Sequence, residues 1–163
     1  TLGLLRSMKE ERMERRFGRT GLFVAFCTLL VGAQGGCVKT PSVSFGGSEG
    51  IHSSFRVDVA DTFDKRRWGM MYRNDMGTDE GMLFVFPDEK NHLFWMKNTL
   101  LSLDIIFMDR RRRVVGIVRN TVPFSTRSVG VGVPSKFVLE IRGGLARLHG
   151  IAVNDVARFE GIP

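Results

Sequence analysis

The sequence predicts a mainly β domain of α+β character: a twisted antiparallel sheet curling into a small barrel or sandwich, with one or two short helices. Three observations support this class. The apolar runs are mostly short and are separated by turn-forming residues. Two of them, GMLFVF (81–86) and HLFWMK (92–97), are apolar on both alternating faces, as central strands are. A chain of 163 residues has length for one ordinary domain and an appendage, which excludes a multidomain enzyme. With 43% hydrophobic and 25% charged residues the composition is that of a globular chain, and two cysteines exclude a disulfide scaffold.

SFRVDVA opens the folded part, because Phe55, Val57 and Val59 alternate with Arg56 and Asp58 as in a half-exposed strand. Asp61 or Thr62 can cap a short helix through DTFDKRRWGMMYR, with Asp64 in its first turn and Gly69 weakening or ending it. The two apolar strands follow, joined by a turn over Pro87, Asp88, Glu89, Lys90 and Asn91. LDIIFM (103–108) and VVGIV (114–118) flank a DRRRR turn, and KFVLEI (136–141) directs Phe137, Leu139 and Ile141 inward. A short helix at 145–148, ended by Gly150, precedes a last strand at 156–159. Residues 119–135, with two prolines and two glycines, form a long loop.

Residues 1–36 are expected to be an export signal whose true start is Met13. Arg15, Arg16 and Arg19 form its basic region, and residues 21–33, GLFVAFCTLLVGA, its uncharged apolar run. At 1.5 Å per residue that run covers about 20 Å, short of the roughly 30 Å hydrocarbon core, so a spanning helix is not expected. Two cleavage readings stand side by side. Val31-Gly32-Ala33 suits a standard signal peptidase and would release a secreted or periplasmic protein. Gln34-Gly35-Gly36-Cys37 resembles a bacterial lipobox, in which the Cys37 thiol is diacylated and anchors the chain in the cell envelope. Cys27 leaves with the signal, so Cys37 keeps no internal disulfide partner, and a lipid-capped thiol accounts for it. Residues 37–51, rich in glycine and serine, read as a flexible tether, leaving 52–163 as the domain. Within the tether Gly46-Gly47-Ser48-Glu49-Gly50 matches G-x-S-x-G, but without a strand-to-helix context it is not a nucleophile elbow.

The net charge of +7 belongs largely to that N-terminus. Residues 1–36 hold six of the 24 basic and three of the 17 acidic residues, leaving 18 against 14, a net +4. Nucleic-acid binding would need a basic face interleaved with aromatics, and none is expected. Arg110 to Arg113 read as a solvated, edge-protecting turn or as a contact with anionic headgroups.

WGMMYRNDM, DEGMLFVFPDE, FWMKNTLLSLDIIFMD and the FVLEI…G…GI…D strip together resemble the DUF192 family, also called UPF0127. The resemblance covers residues 55–159 and implies a compact, mostly β domain with one or two short helices, often exported, with no established activity. Ser102, Arg112 and Asn154 depart from the family pattern, standing where proline, glycine and glycine are usual; all three fall at turns.

On strand 103–108 the period of two puts Asp104 on the face of Ile106 and Met108, where a bare carboxylate is costly. Arg73 is its expected partner, with Asn98 and Thr99 as nearby hydrogen-bonding groups and Trp95 as a wall. The pair then locks helix to sheet, or lines a polar cleft for a small ligand, or serves a hydrolase or transferase acting on envelope polymer. His52, His92 and His149 show no ligand spacing, and neither a metal nor a cofactor is expected. Met70, Met71 and Met76 fill the core or, as a further alternative, hold copper(I). Trp68, Tyr72 and Trp95 pack or stack on envelope sugars. The expected function is that of an exported, lipid-anchored binding or accessory module, whose partners are the membrane, through the lipid, and a small molecule or an envelope protein.

Overall fold

The computed structural model describes residues 39–47 and 50–162; the expected export signal and Cys37 lie outside them. Strands β1 (Ser42–Gly47) and β2 (Gly50–Ala60) form an antiparallel hairpin with Gly47 opposite Gly50. Helix α1 (Phe63–Trp68) starts at Thr62, whose hydroxyl accepts the Lys65 N–H at 3.3 Å, and ends at Gly69, where φ is 51°. The crossover through α1 lets β3 (Glu80–Lys90) return parallel to β2, which a tight turn cannot do. Then come β4 (Leu103–Met108), β5 (Val114–Val118), β6 (Ser135–Arg142), helix α2 (Leu145–Leu148) and β7 (Ala157–Glu160).

The seven strands make one sheet in the order β5-β4-β6-β3-β2-β1-β7, antiparallel except at β2–β3. Its two edges meet. Arg113 bridges Val156, the Val114 N–H donates to the Asp155 carbonyl at 2.8 Å, and the Ala157 N–H donates to the Arg112 carbonyl at 2.9 Å. The sheet therefore curls as the sequence predicts, and its edges protect one another there. Arg112 and Asn154, at this seam, hold φ of 62° and 81°, the left-handed region in which glycine is least strained.

Two apolar clusters cover the two faces of the sheet. One joins Phe55, Leu83, Ile106, Met108, Leu139 and Ile141 to Ala146 of α2. The other joins Phe84, Leu103, Ile105, Phe107 and Val138 to Met70, Met76 and Met96 in the segments that follow α1 and β3. Every member of both lies at or beyond residue 43, so this unit carries its own core.

Four expectations need correction. The tether is shorter than 37–51, because residues 42–47 are β1, paired with both β2 and β7, with Val43 and Phe45 buried in the first cluster. The hairpin turn predicted at 87–91 is instead the continuation of β3 to Lys90. Residues 92–97 are not a central strand: their backbone pairs with the loop after β5, through the Phe94–Val129 bridge and the Met96 N–H to the Ser125 carbonyl, and they lie as a layer over the second cluster. Phe94 and Met96 point down while Leu93 and Trp95 are exposed, so the continuous apolarity has two different causes. The sheet also contains a parallel pair where only antiparallel pairing was expected.

If β1 is structural, Phe45→Ala should cost about 3–5 kcal/mol in urea denaturation. A tether residue would leave the midpoint unchanged.

Candidate functional site

The five residues expected to share a cleft are dispersed. Asp104 is fully buried on the face of Ile106 and Met108, as its period requires, but its partners are backbone amides: Asn120 and Ala146 each donate an N–H to it at 2.8 Å. Ala146 lies in the first turn of α2, whose N-cap, Gly144, has no side chain to cap with, so Asp104 caps the helix from another strand. Arg73 sits elsewhere, paired with Asp58 and Glu80 at 3.0 Å each. The expected Asp104–Arg73 pair is thus overturned, and with it the cleft and the catalytic reading built on that pair. Asn98 donates to the Tyr72 hydroxyl at 2.8 Å, and Thr99 is buried. Only Trp95 and Thr99 line a common cavity.

The methionine cluster is likewise taken up by packing. Met70 and Met76 belong to the second apolar cluster, as gap-filling thioethers do, while Met71 lines a cavity. Among the described residues no group of three His, Cys, Asp or Glu is placed to hold a metal ion.

The cavity that holds Trp95 and Thr99 has a volume of about 450 Å³, within the range of small-molecule sites. Helix α1 and the segment after it supply Trp68, Met70 and Met71; β3 supplies Phe84 and Phe86; the layer 92–99 supplies His92, Phe94 and Trp95. Arg66 and Arg67 stand at its edge, and the Arg66 guanidinium donates to the Asp61 and Val85 carbonyls at 2.7 and 2.9 Å.

Glu140 of β6 also lines this cavity. It is only 4% exposed, between Met82 of β3 and Ile105 of β4. No described residue donates a hydrogen bond to its carboxyl or forms an ion pair with it, and burial pushes that carboxyl from its ordinary 4.5 to about 8. His92 lines the same cavity: it stacks on Phe86 with ring centroids 3.6 Å apart, and its buried Nε2 has no partner. Burial also holds the imidazole below its ordinary range. An apolar chamber thus contains an acid kept neutral near pH 7 and a neutral imidazole, both with unused hydrogen-bonding capacity.

Sequence reasoning missed Glu140 because KFVLEI alternates: with Phe137, Leu139 and Ile141 inward, the glutamate falls on the other, nominally wet face. That face is dry because β6 lies between β3 and β4 under the second cluster. The only local hint is Val138, an apolar neighbour on the same face, and it is too weak to find the residue.

The two buried acids lead to different expectations. Asp104→Asn puts an amide N–H against a donated N–H and should cost about 1–3 kcal/mol, whereas Arg73→Gln, losing partly exposed ion pairs, should cost about 1 kcal/mol or less; thermal melts compare them. For Glu140 the folded state holds its proton more tightly than the unfolded one. Its contribution is complete below pH 4.5 and is lost as pH rises through about 8. Glu140→Gln should therefore gain melting temperature over the parent progressively across that window, and parallel pH profiles would refute the assignment.

Residues 46–159 match the model of the DUF192 family, "Uncharacterized ACR". A UPF0127 protein of Pyrococcus abyssi is 30% identical over 116 residues, covering 66% of this chain and 89% of that protein. The crystal structure of a protein of unknown function from Novosphingobium aromaticivorans superposes with a TM-score of 0.68 at 38% identity, covering 72% of this chain and 83% of that one. A Sinorhizobium meliloti structure, described as that of a proposed transcription regulator, gives a TM-score of 0.70 at 32% identity over 75% of this chain and 95% of its own. With the curled sheet, the sequence strips and these relatives in agreement, the chain belongs to the DUF192 (UPF0127) family, whose function is uncharacterised.

Proposed function

We propose that this protein is an exported, lipid-anchored binding module of the bacterial envelope, and that it binds a small molecule in the cavity over Glu140. The observation that carries the binding half is the unpartnered carboxyl of Glu140 at the wall of an apolar chamber. A buried polar group without a partner costs about 1–3 kcal/mol, and folds retain such groups where function uses them. The fitting ligand has an aromatic or aliphatic body, to lie against Phe84, Phe86 and Met71, and a hydroxyl, amide or amine that meets Glu140. Support for the anchored half comes from residues 15–37: arginines, an uncharged apolar run and Cys37 as the one cysteine remaining after cleavage.

The transcription-regulator description of the Sinorhizobium relative finds no support in the arginine turn. Arg110 pairs with Glu89, Arg112 lies 4.6 Å over the Phe159 ring, and Arg113 donates to the Asn154 carbonyl at 2.9 Å. These three side chains are engaged in the fold, while that of Arg111 is exposed.

A thermal-shift screen with hydroxylated, amidated and aminated aromatic amphiphiles tests the binding half. A ligand at 100 times its Kd adds about 2.7 kcal/mol, and that gain should vanish in Glu140→Leu while the ligand-free variant melts at or above the parent temperature. If Glu140→Leu and Glu140→Gln both lower the melting temperature, the acid is structural and the reading fails. For the anchor, the full chain expressed in a bacterium should incorporate labelled palmitate and partition into detergent, with Cys37→Ser losing both; a soluble, unlabelled parent would remove that half.

A further inference from the structure

The mouth of the cavity carries the chain's amphipathic aromatic side chains in one place. The sequence has two tryptophans and one tyrosine: Trp68, 62% exposed, and Trp95, 50% exposed, line the cavity with the exposed Phe63 and Leu93, and Tyr72, 61% exposed, stands outside the lining against Trp68. Trp68 and Tyr72 touch, with ring centroids 5.6 Å apart.

The fold holds Tyr72 outward against a backbone cost. Its φ is 62° and that of Asn98 is 56°, both in the left-handed region, where a bulky residue loses roughly 1–2 kcal/mol. Two hydrogen bonds lock the strained pair together: Tyr72 N–H to the Asn98 carbonyl and Asn98 Nδ2 to the Tyr72 hydroxyl, each 2.8 Å. Neither residue is fully buried in return. What the strain secures is the position of an exposed aromatic ring.

The charge around this ring of side chains is positive. Asp61 pairs with Lys65 and Asp88 with Lys90, and among the described residues Arg66, Arg67 and Lys97 have no carboxylate partner, while Asp64 is the exposed acid beside them that forms no ion pair. Lys97 and Arg66 each lie 5.4 Å from an aromatic centroid, Trp95 and Phe86 respectively, so cations and rings share one surface. Tryptophan and tyrosine, apolar in body and polar at the tip, with flanking lysine and arginine, are the side chains that settle at a bilayer interface.

We infer that the cavity mouth is a peripheral membrane-docking face: Trp68, Tyr72, Trp95, Phe63 and Leu93 seat among the headgroups of an anionic bilayer, while Arg67 and Lys97 contact its phosphates. The inference stands apart from what the cavity binds and from the fate of Cys37. A protein surface could also cover such a patch, and the test separates the two.

Residues 39–163, which contain both cores and exclude the apolar N-terminal run, are sedimented with vesicles of equal parts phosphatidylglycerol and phosphatidylcholine, and with vesicles of phosphatidylcholine alone. Binding to the anionic vesicles with a blue shift of tryptophan emission is expected, weaker by about tenfold or more on neutral vesicles or in Arg67→Glu/Lys97→Glu. Trp68→Ser/Trp95→Ser, at exposed positions, should keep the melting temperature and lose the binding. No binding to anionic vesicles, or binding that the tryptophan pair leaves unchanged, overturns the inference. So does a dimer in analytical ultracentrifugation that the same pair dissolves, which would make the face a contact between two copies.

Discussion

Strand β6 lies between β4 and β3 near the middle of the sheet, and both of its faces are covered. On one face Leu139 and Ile141 pack with α2 and the hairpin β1–β2; on the other Val138 packs under the methionines that follow α1 and β3. A half-open sheet would let a polar side chain on its second face reach water. Here both faces are covered at the middle of the strands, so the buried acids Asp104 of β4 and Glu140 of β6 must find a partner inside the protein or remain without one.

Asp104 and Glu140 answer that constraint in opposite ways. Asp104 faces the first cluster and receives two backbone N–H groups, one from the start of α2 and one from the chain leaving β5. Two charge-assisted hydrogen bonds compensate much of the desolvation of a carboxylate, and they join three parts of the fold at one point. Glu140 faces the second cluster across the sheet and receives nothing, and burial holds it neutral. The same residue class thus serves architecture on one face and leaves open chemistry on the other, and the difference is whether an orphan helix amide lies within reach.

The cavity and its rim follow from how the second face is covered. No regular element shields it; the layer 92–99 and the segment after α1 do, touching the sheet region through Phe94, Met96, Met70 and Met76. Irregular cover leaves a chamber where a packed helix would have closed it. It also turns Trp95 and Leu93 outward, because residues alternating along an extended layer with one dry face must expose the other.

Periodicity and turn chemistry determined much of this protein in the sequence itself: β2, α1 with a cap at Asp61 or Thr62, β4, the arginine turn, β5, β6, α2 and the last strand, as well as the face on which Asp104 lies. Those features depend on neighbours in the chain, which a window of residues contains. The sequence did not disclose that Gly-Ser-rich residues 42–47 are a strand, that 92–97 is a layer and not a strand, that Asp104 meets amides and not Arg73, or that Glu140 is dry. Each of those was decided by what lies across the sheet or above it, and an alternating pattern states which side a residue faces without stating whether that side is wet.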